Sequence, residues 1–197
     1  DTTFSVLHIN CRSINKNFDS ILTLIAQFKF TIHIIAVTET WTTKCTESDF
    51  PIPGYTFTGK SRENKTGGGV GLCVLNTIDF KVRPDLNLDM SDIFESIYIE
   101  LLNLPTKTII GCVYKPPDSD VSAFTSLIDN VLSAVTSQKY LCMIAGDFNI
   151  DLLKAECHSP TTDFVNCLFS HSFYPAINKP TRITDTSATL IDNILTN

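Results

Sequence analysis

The sequence lacks any uninterrupted apolar run of the roughly 18 to 20 residues that a membrane-spanning helix needs. It also lacks internal repeats, low-complexity tracts and linker-like stretches, which argues against a fibrous or multidomain chain. Of its 197 residues, 43% are hydrophobic and only 18% are charged, enough for a sizeable core. We therefore expect one soluble domain over residues 1–197, not secreted, because the first residues lack the basic start of a secretory signal.

Positive charge is scarce as well. The formal net charge is −6, which argues against a broad phosphate-binding surface. Any contact with nucleic acid must therefore be local or assisted by a metal ion. Lys60, Arg62 and Lys65 form a small basic loop that either touches phosphate or is simply an exposed charged loop.

The seven cysteines are an odd number and include no Cys-x-x-Cys spacing. Cys73, Cys112 and Cys142 lie inside apolar, strand-like runs, where cysteine behaves as a small hydrophobic residue. The sequence predicts buried, reduced thiols and a reducing compartment.

Apolar periodicity predicts a mixture of strands and helices. Strands are expected at 4–10, 32–37, 55–58, 70–75, 94–101, 108–113, 140–145 and 190–195, and helices at 18–28, 124–135 and 161–170. No helical period interrupts the four strands between 55 and 113, so this half is expected to be antiparallel. The pattern predicts an α/β sandwich with strands in the middle and helices outside.

Oxygen-rich side chains follow the apolar strand that ends near residue 146. Alternate residues of a strand share one face, so Asp147, Asn149 and Asp151 can converge while Phe148 and Ile150 anchor the opposite face. The alternative is an ordinary turn, because Asp and Asn also hydrogen-bond their own backbone there.

Three further strands end in the same way, at Asn10, Glu39 and Asp192. One polar strand end is common, but four in a small domain favour a shared metal or phosphate site, because open sheets bind ligands at strand ends.

Six short segments occur in the order and spacing of a known superfamily. They are 8–13 (HINCRS), 38–41 (TETW), 67–72 (GGGVGL), 114–117 (YKPP), 146–151 (GDFNID) and 189–195 (TLIDNIL). Together they resemble the endonuclease/exonuclease/phosphatase superfamily, which includes DNase I and the apurinic/apyrimidinic endonucleases. Within it, the segments are most similar to the endonuclease domains of LINE-type (non-LTR) retrotransposons.

The resemblance implies a four-layer α/β sandwich with two packed mixed or antiparallel sheets, and phosphodiester hydrolysis that depends on Mg²⁺ or Mn²⁺. Glu39, helped by Asn10, would hold the metal ion through hard oxygen ligands. Asp147 would orient or deprotonate the attacking water. Asn149 would donate hydrogen bonds to the scissile phosphate or fix Asp147, and Asp151 is left outside the catalytic set as a turn former.

The same resemblance suggests roles for the residues around this centre. Tyr114 would point its hydroxyl at a phosphate oxygen, although a stacked core tyrosine is the alternative. Arg12, Thr181 and Arg182 would lie near the DNA backbone, where an ordinary solvated arginine is the alternative for Arg182. The three glycines 67–69 are interpreted as a loop entering a strand, because no helix follows to bind phosphate.

The chain departs from the family at its last strand. In the family, an Asp-His pair on a further strand completes the site, and the carboxylate at the position of Asp192 orients that histidine. In this chain, no histidine directly follows an aspartate. The chain ends five residues after Asp192. Either the domain is truncated before its last strand, which would leave a sheet edge unpaired, or it has lost catalysis.

The sequence therefore predicts an endonuclease domain that nicks one strand of a DNA target and leaves a 3′-hydroxyl for a downstream reverse transcriptase. It would act in the nucleus after synthesis in the cytoplasm, without a membrane. A phosphatase of the same superfamily, acting on phosphoinositides or another small phosphoester, is one alternative. A catalytically silent binding or assembly domain is the other.

Overall fold

The computed structural model describes residues 4–42, 52–61, 67–87, 90 and 93–197. Its elements are β1 (Val6–Asn10), α1 (Ile14–Ala26), β2 (Ile34–Thr38), β3 (Tyr55–Lys60), β4 (Val70–Leu75), β5 (Phe80–Val82), β6 (Glu95–Leu101), β7 (Thr108–Tyr114), α2 (Val121–Ser137), β8 (Leu141–Asp147), α3 (Ser159–Ser170), β9 (Tyr174–Pro175), β10 (Arg182–Ile183), β11 (Ala188–Thr189) and β12 (Asp192–Thr196). Arg62 and Lys65 of the predicted basic loop lie outside the described residues.

The described strands form two large sheets and a small hairpin of β10 and β11. One sheet has the order β1-β2-β4-β3, with β1 and β2 parallel and the other neighbours antiparallel. The other sheet has the order β5-β6-β7-β8-β12-β9, with only β7 and β8 parallel. The predicted mixed and antiparallel sheets are confirmed.

The two sheets pack face to face through an apolar core. Ile34 and Leu72 of the smaller sheet contribute to the same buried cluster as Ile97, Ile110 and Ala145 of the larger sheet. These side chains come from alternate positions of their strands, as expected when one face of a strand points into a core.

Helices cover the two outer faces. Ile14 and Ile21 of α1 are buried in the cluster on the outer side of the smaller sheet. On the larger sheet, α2 and α3 pack together through Phe124 and Phe164, whose ring centroids lie 5.7 Å apart, and Phe148 joins them. The layer order is helix, sheet, sheet, helices, so the predicted four-layer sandwich is confirmed. No helix in the described part of the chain is long and apolar enough to cross a membrane.

Cys73, Cys112 and Cys142 are buried and free, as predicted. Burial raises the pKa of Cys73 and Cys112 to about 12, because the thiolate form would be poorly solvated. These thiols therefore act as small core residues.

The expected antiparallel half is divided between the two sheets. β3 and β4 pair in the smaller sheet, whereas β6 and β7 pair in the larger one. The pairs are antiparallel as expected, but the alternation of apolar residues indicates only which face is buried and not which strand is the neighbour.

The outer edge of β12 is partly covered by the short strand β9 and the residues that follow it. Its ladder with β9 has only two residue pairs. Beyond that ladder, the Asn193 side chain accepts from the Ile177 N–H at 3.1 Å and donates to the Ile177 carbonyl at 2.9 Å. The Ala176 N–H also donates to the carbonyl of Ile194 at 2.8 Å. An asparagine side chain thus satisfies backbone groups that a neighbouring strand would otherwise pair.

Candidate active site

One cleft of about 450 Å³ lies where strands of both sheets end, and it contains all nine site residues predicted from the sequence. Its lining is Asn10, Arg12, Glu39, Tyr114, Pro117, Asp147, Asn149, Thr181, Arg182, Ile191 and Asp192. Strand register explains part of this convergence. Asp147 is the direct partner of Tyr114 on one side and of Asp192 on the other. Sequence reasoning did not identify Pro117 and Ile191, which carry no chemical signal.

Asn10 joins the two sheets at the floor of this cleft. Its Nδ2 donates to Oε1 of Glu39 and to Oδ2 of Asp147, both at 2.7 Å. Its Oδ1 accepts from the backbone N–H of Arg12 at 3.3 Å. Because one amide nitrogen bonds two carboxylates, it holds them at a fixed separation and offsets part of their mutual repulsion.

Glu39 stands on a sharp turn directly after β2. Its φ is 52°, in the left-handed region that a non-glycine residue adopts at some energetic cost. The Trp41 indole Nε1 donates to its Oε2 at 3.2 Å. The motif pattern included Trp41 but gave it no role.

The glycine loop supports this turn. The N–H groups of Thr40 and Trp41 donate to the carbonyls of Gly69 and Gly68. The Gly69 N–H in turn donates to the buried Glu95 carboxylate at 2.5 Å. The loop also leads directly into β4, so its interactions are those of a structural loop that holds the Glu39 turn.

Asp147 is buried and held from two sides. The backbone N–H of Asn149 donates to its Oδ1 at 3.1 Å, while Asn10 occupies its Oδ2. Burial raises the pKa of Asp147 to about 7, and the negative charges of Asp192 and Glu39 add to this effect. The hydrogen bonds from Asn149 and Asn10 oppose it.

The residues after Asp147 do not continue the strand alternation that the sequence suggested. Asn149 has a φ of 46°, and its side-chain Nδ2 donates to the Lys115 carbonyl at 2.8 Å. Asp151 caps the short 3-10 turn Leu152–Lys154 and accepts from the Leu190 N–H at 3.0 Å. Asn149 therefore reaches the cleft through a turn, and Asp151 is a turn former outside the cleft lining.

Asp192 lies on the far wall beside the β10–β11 hairpin. The Thr181 hydroxyl accepts from the backbone N–H groups of Ile191 and Asp192 at 3.3 and 3.1 Å. Burial raises the pKa of Asp192 and the charge of Glu39 adds to it, while Thr181 and Arg182 oppose the change. Among the described residues, none donates a hydrogen bond to its buried Oδ1.

His8 approaches this carboxylate from β1, a placement that sequence reasoning missed. Its Nδ1 lies 3.6 Å from Asp192 Oδ1, and its Nε2 contacts the Thr38 hydroxyl at 3.1 Å. Burial lowers the pKa of His8 to about 4, so the imidazole is neutral at pH 7. The segment 8–13 includes His8, but sequence reasoning gave it no role because its neighbour Asp192 is distant in the chain.

The donor set suits a hard divalent cation. The carboxylates of Glu39 and Asp147 contact the Asn10 amide, and Asp192 lines the same cleft. The Asp192 Oδ1 is buried without a donor among the described residues. Mg²⁺ binds oxygen ligands and is often held by one or two carboxylates together with water. The negative charges of Asp192 and Glu39 raise the pKa of Asp147. A bound cation would offset this repulsion.

No protein-family model matches the chain, and neither does any curated protein. Solved structures match it over nearly its whole length. The endonuclease domain of TRAS1, a telomere-specific non-LTR retrotransposon, is 14% identical with a TM-score of 0.72, covering 98% of this chain and 85% of that one. An AP endonuclease from Archaeoglobus fulgidus is 16% identical with a TM-score of 0.71, covering 98% and 86%.

A phosphatase shares the same architecture. The mannosyl-6-phosphatase Bt3783 of Bacteroides thetaiotaomicron is 12% identical with a TM-score of 0.66, covering 98% of this chain and 85% of that one. The chain therefore has the fold of this group of nucleases and phosphatases, as the sequence resemblance predicted. Fold alone does not distinguish these activities.

Proposed function

We propose that this chain is a metal-dependent phosphodiesterase domain that nicks one strand of duplex DNA. The observation that carries the proposal is the Asn10 bridge, which holds Glu39 and Asp147 from different sheets 2.7 Å from one amide nitrogen. Asp192 stands beside this pair as the strand partner of Asp147. A cluster of one buried and two half-buried carboxylates in a polar cleft is suited to activating water for attack on phosphorus.

Asp147 is the proposed base. Its pKa of about 7 allows it to accept a proton from water near neutral pH. Asn10 and the Asn149 backbone N–H fix both carboxylate oxygens, so the proton-accepting oxygen is oriented before substrate arrives. Neutral His8 lies 3.6 Å from the Asp192 carboxylate.

Glu39, with Asn10, would hold Mg²⁺ or Mn²⁺, and Trp41 orients the Glu39 carboxylate through its indole N–H. When bound, such an ion supplies positive charge to the transferring phosphoryl group and the leaving oxygen. Tyr114 and the Asn149 side chain line the cleft as donors for phosphate oxygens.

Arg12 and Arg182, with the Thr181 hydroxyl, are the proposed contacts to the DNA backbone. They occupy the cleft lining beside Asn10 and Asp192, so positive charge flanks the carboxylates at the point where a phosphodiester would enter. This local charge fits a chain whose overall charge is −6. DNA as the substrate, a downstream reverse transcriptase and action in the nucleus follow from the resemblance to retrotransposon endonucleases.

The second candidate is hydrolysis of a small phosphomonoester, favoured by the fold shared with the Bacteroides phosphatase. A panel that compares supercoiled plasmid with mannose 6-phosphate and an inositol phosphate, each with Mg²⁺ and with EDTA, distinguishes the two. We expect Mg²⁺-dependent conversion of plasmid to open circles whose nicks a DNA polymerase can extend, with no phosphate released from the monoesters. Monoester turnover without nicking would support the phosphatase instead, and inertness toward every substrate would favour the silent domain.

A further inference from the structure

A second group of ligand-type side chains lies on the helical layer, outside the cleft. Asp129 projects from α2, and Cys167 and His171 project from α3 and the residue that ends it. Each of these residues offers one ligand atom, and the three ligand atoms lie within 4.8 Å of one another. None of the three lines the candidate active site.

The three side chains converge on a single oxygen. His171 Nε2 lies 2.7 Å from Asp129 Oδ1, and Cys167 Sγ lies 3.5 Å from the same atom. Cys167 and His171 are four residues apart, which puts them on one face of the helix. The Asp129 side chain is 51% exposed and that of His171 is 18% exposed, so an ion can enter from solvent.

The donor chemistry is that of zinc. A thiolate, an imidazole and a carboxylate are all ligands that Zn²⁺ takes, at about 2.0 to 2.3 Å, whereas Mg²⁺ prefers oxygen alone. Such bond lengths in a tetrahedron put ligand atoms roughly 3.3 to 3.6 Å apart. The Cys167 to Asp129 separation already fits this spacing, and rotation of the half-exposed Asp129 would open its contact with His171.

In the metal-free protein, hydrogen bonds from Cys167 and His171 to Asp129 hold the three side chains together. Burial and the nearby Asp129 carboxylate raise the pKa of the Cys167 thiol to about 12, while the hydrogen bond from His171 lowers the pKa of Asp129. Binding of a divalent ion would release the thiol proton to solvent and move the imidazole proton to Nδ1. The resulting thiolate and carboxylate neutralise the ion's two positive charges.

We propose that Asp129, Cys167 and His171 form a zinc-binding site that clamps α2 to α3, with water as the fourth ligand. The competing interpretation is a plain Asp–His ion pair with a thiol beside it. The two differ in whether Cys167 bonds a metal ion.

Titration of the metal-free chain with Co²⁺ tests the site, because a Co²⁺–thiolate bond gives a near-ultraviolet charge-transfer band that oxygen ligands in the active site cannot give. We expect the band in the parent, its displacement by Zn²⁺, and the same behaviour in Cys157→Ser, which removes an exposed cysteine outside the cluster. Cys167→Ser should lose the band. His171→Asn should weaken binding by more than about tenfold, since even loss of an outer partner costs about 10- to 100-fold.

Asp129→Asn changes a half-exposed side chain and provides a second variant if Cys167→Ser does not fold; it should also weaken Co²⁺ binding. Absence of the band in the parent at millimolar Co²⁺ would overturn the proposal. Persistence of the band in Cys167→Ser, or unchanged affinity in both His171→Asn and Asp129→Asn, would overturn it as well.

Discussion

Opposing interactions act on the carboxyl group of Asp147. Its carboxylate is buried and stands near two other acids, which favours the protonated form, yet two N–H donors stabilise the charged form. The result is a carboxyl group whose pKa lies near 7, where it can exchange protons with water at physiological pH.

This shift has a consequence for stability in metal-free buffer. The pKa of Asp147 is about 7 in the folded chain against 3.8 for the unperturbed group, so the folded state binds more protons between these values. Its contribution to stability is present below pH 4 and is lost as pH rises through about 7. One pKa unit corresponds to about 1.4 kcal/mol, so the loss is on the order of a few kcal/mol.

The measurement is urea unfolding in EDTA from pH 4 to 8, comparing the parent with Asp147→Asn. His8 has a depressed pKa and acts in the opposite direction between about 4 and 6.5, which is why the difference between variants is the informative quantity. As pH rises, the free energy of unfolding of Asp147→Asn should increase relative to that of the parent. Asp163→Asn, an exposed substitution outside the cleft, is the control. A difference between Asp147→Asn and the parent that does not change with pH would contradict this explanation.

At the scale of elements, α2 shows how far local sequence determines structure. Its buried positions follow the helical spacing, and they are Phe124, Ile128, Val131, Leu132 and Val135. Asp120 begins the helix by accepting from the Ala123 N–H at 2.7 Å. Both signals are local, so the helix could be predicted from sequence.

The cap gives a direct prediction. Asp120→Ala should lower the free energy of unfolding by about 1 kcal/mol, because it removes an acceptor from the first turn of α2. Asp118→Ala is the matched control, since Asp118 is exposed, lies two residues earlier and also interacts with Lys115. Chemical denaturation should show a larger loss of unfolding free energy for Asp120→Ala than for Asp118→Ala. Equal losses would mean that the charge near Lys115, and not capping, is responsible.

Other elements were beyond prediction because their causes are not local. Asp147 and Asn149 do reach one cleft, but through a turn with positive φ at Asn149 in place of a continuing strand. The proximity of His8 to Asp192 depends on packing between strands from opposite ends of the chain. Partition of β3, β4, β6 and β7 between two sheets likewise depends on tertiary packing, which apolar alternation does not specify.

At the scale of the whole molecule, the cleft exists only because the two sheets pack together. Asn10 and Glu39 come from one sheet, and Asp147 and Asp192 from the other. The polar strand ends were visible in the sequence and predicted a shared site. Their meeting through the Asn10 amide could not be derived from sequence, because it requires the register and packing of both sheets.

A cation bound between the sheets should therefore stabilise the fold. Saturating Mg²⁺ should raise the melting temperature of the parent by several degrees, since a ligand at about 100 times its dissociation constant contributes about 2.7 kcal/mol. Glu39→Gln should reduce this increase, whereas exposed Glu156→Gln should leave it intact. Scanning calorimetry with Mg²⁺ and with EDTA measures the effect. An equal increase in melting temperature for all three proteins would contradict the assignment of Glu39 as a metal ligand.

The most direct test of the account is nicking of supercoiled plasmid in Mg²⁺ by the parent, Asp147→Asn and Glu39→Gln, beside the exposed controls Asp163→Asn and Glu156→Gln. We predict open-circular DNA from the parent and both controls, with rates lowered by several powers of ten in the two cleft variants. Nicking by the cleft variants at the parental rate would contradict the assignment of this cleft as the active site. An inert parent whose fold and Mg²⁺ binding are intact would contradict the proposal that this chain is itself a nuclease.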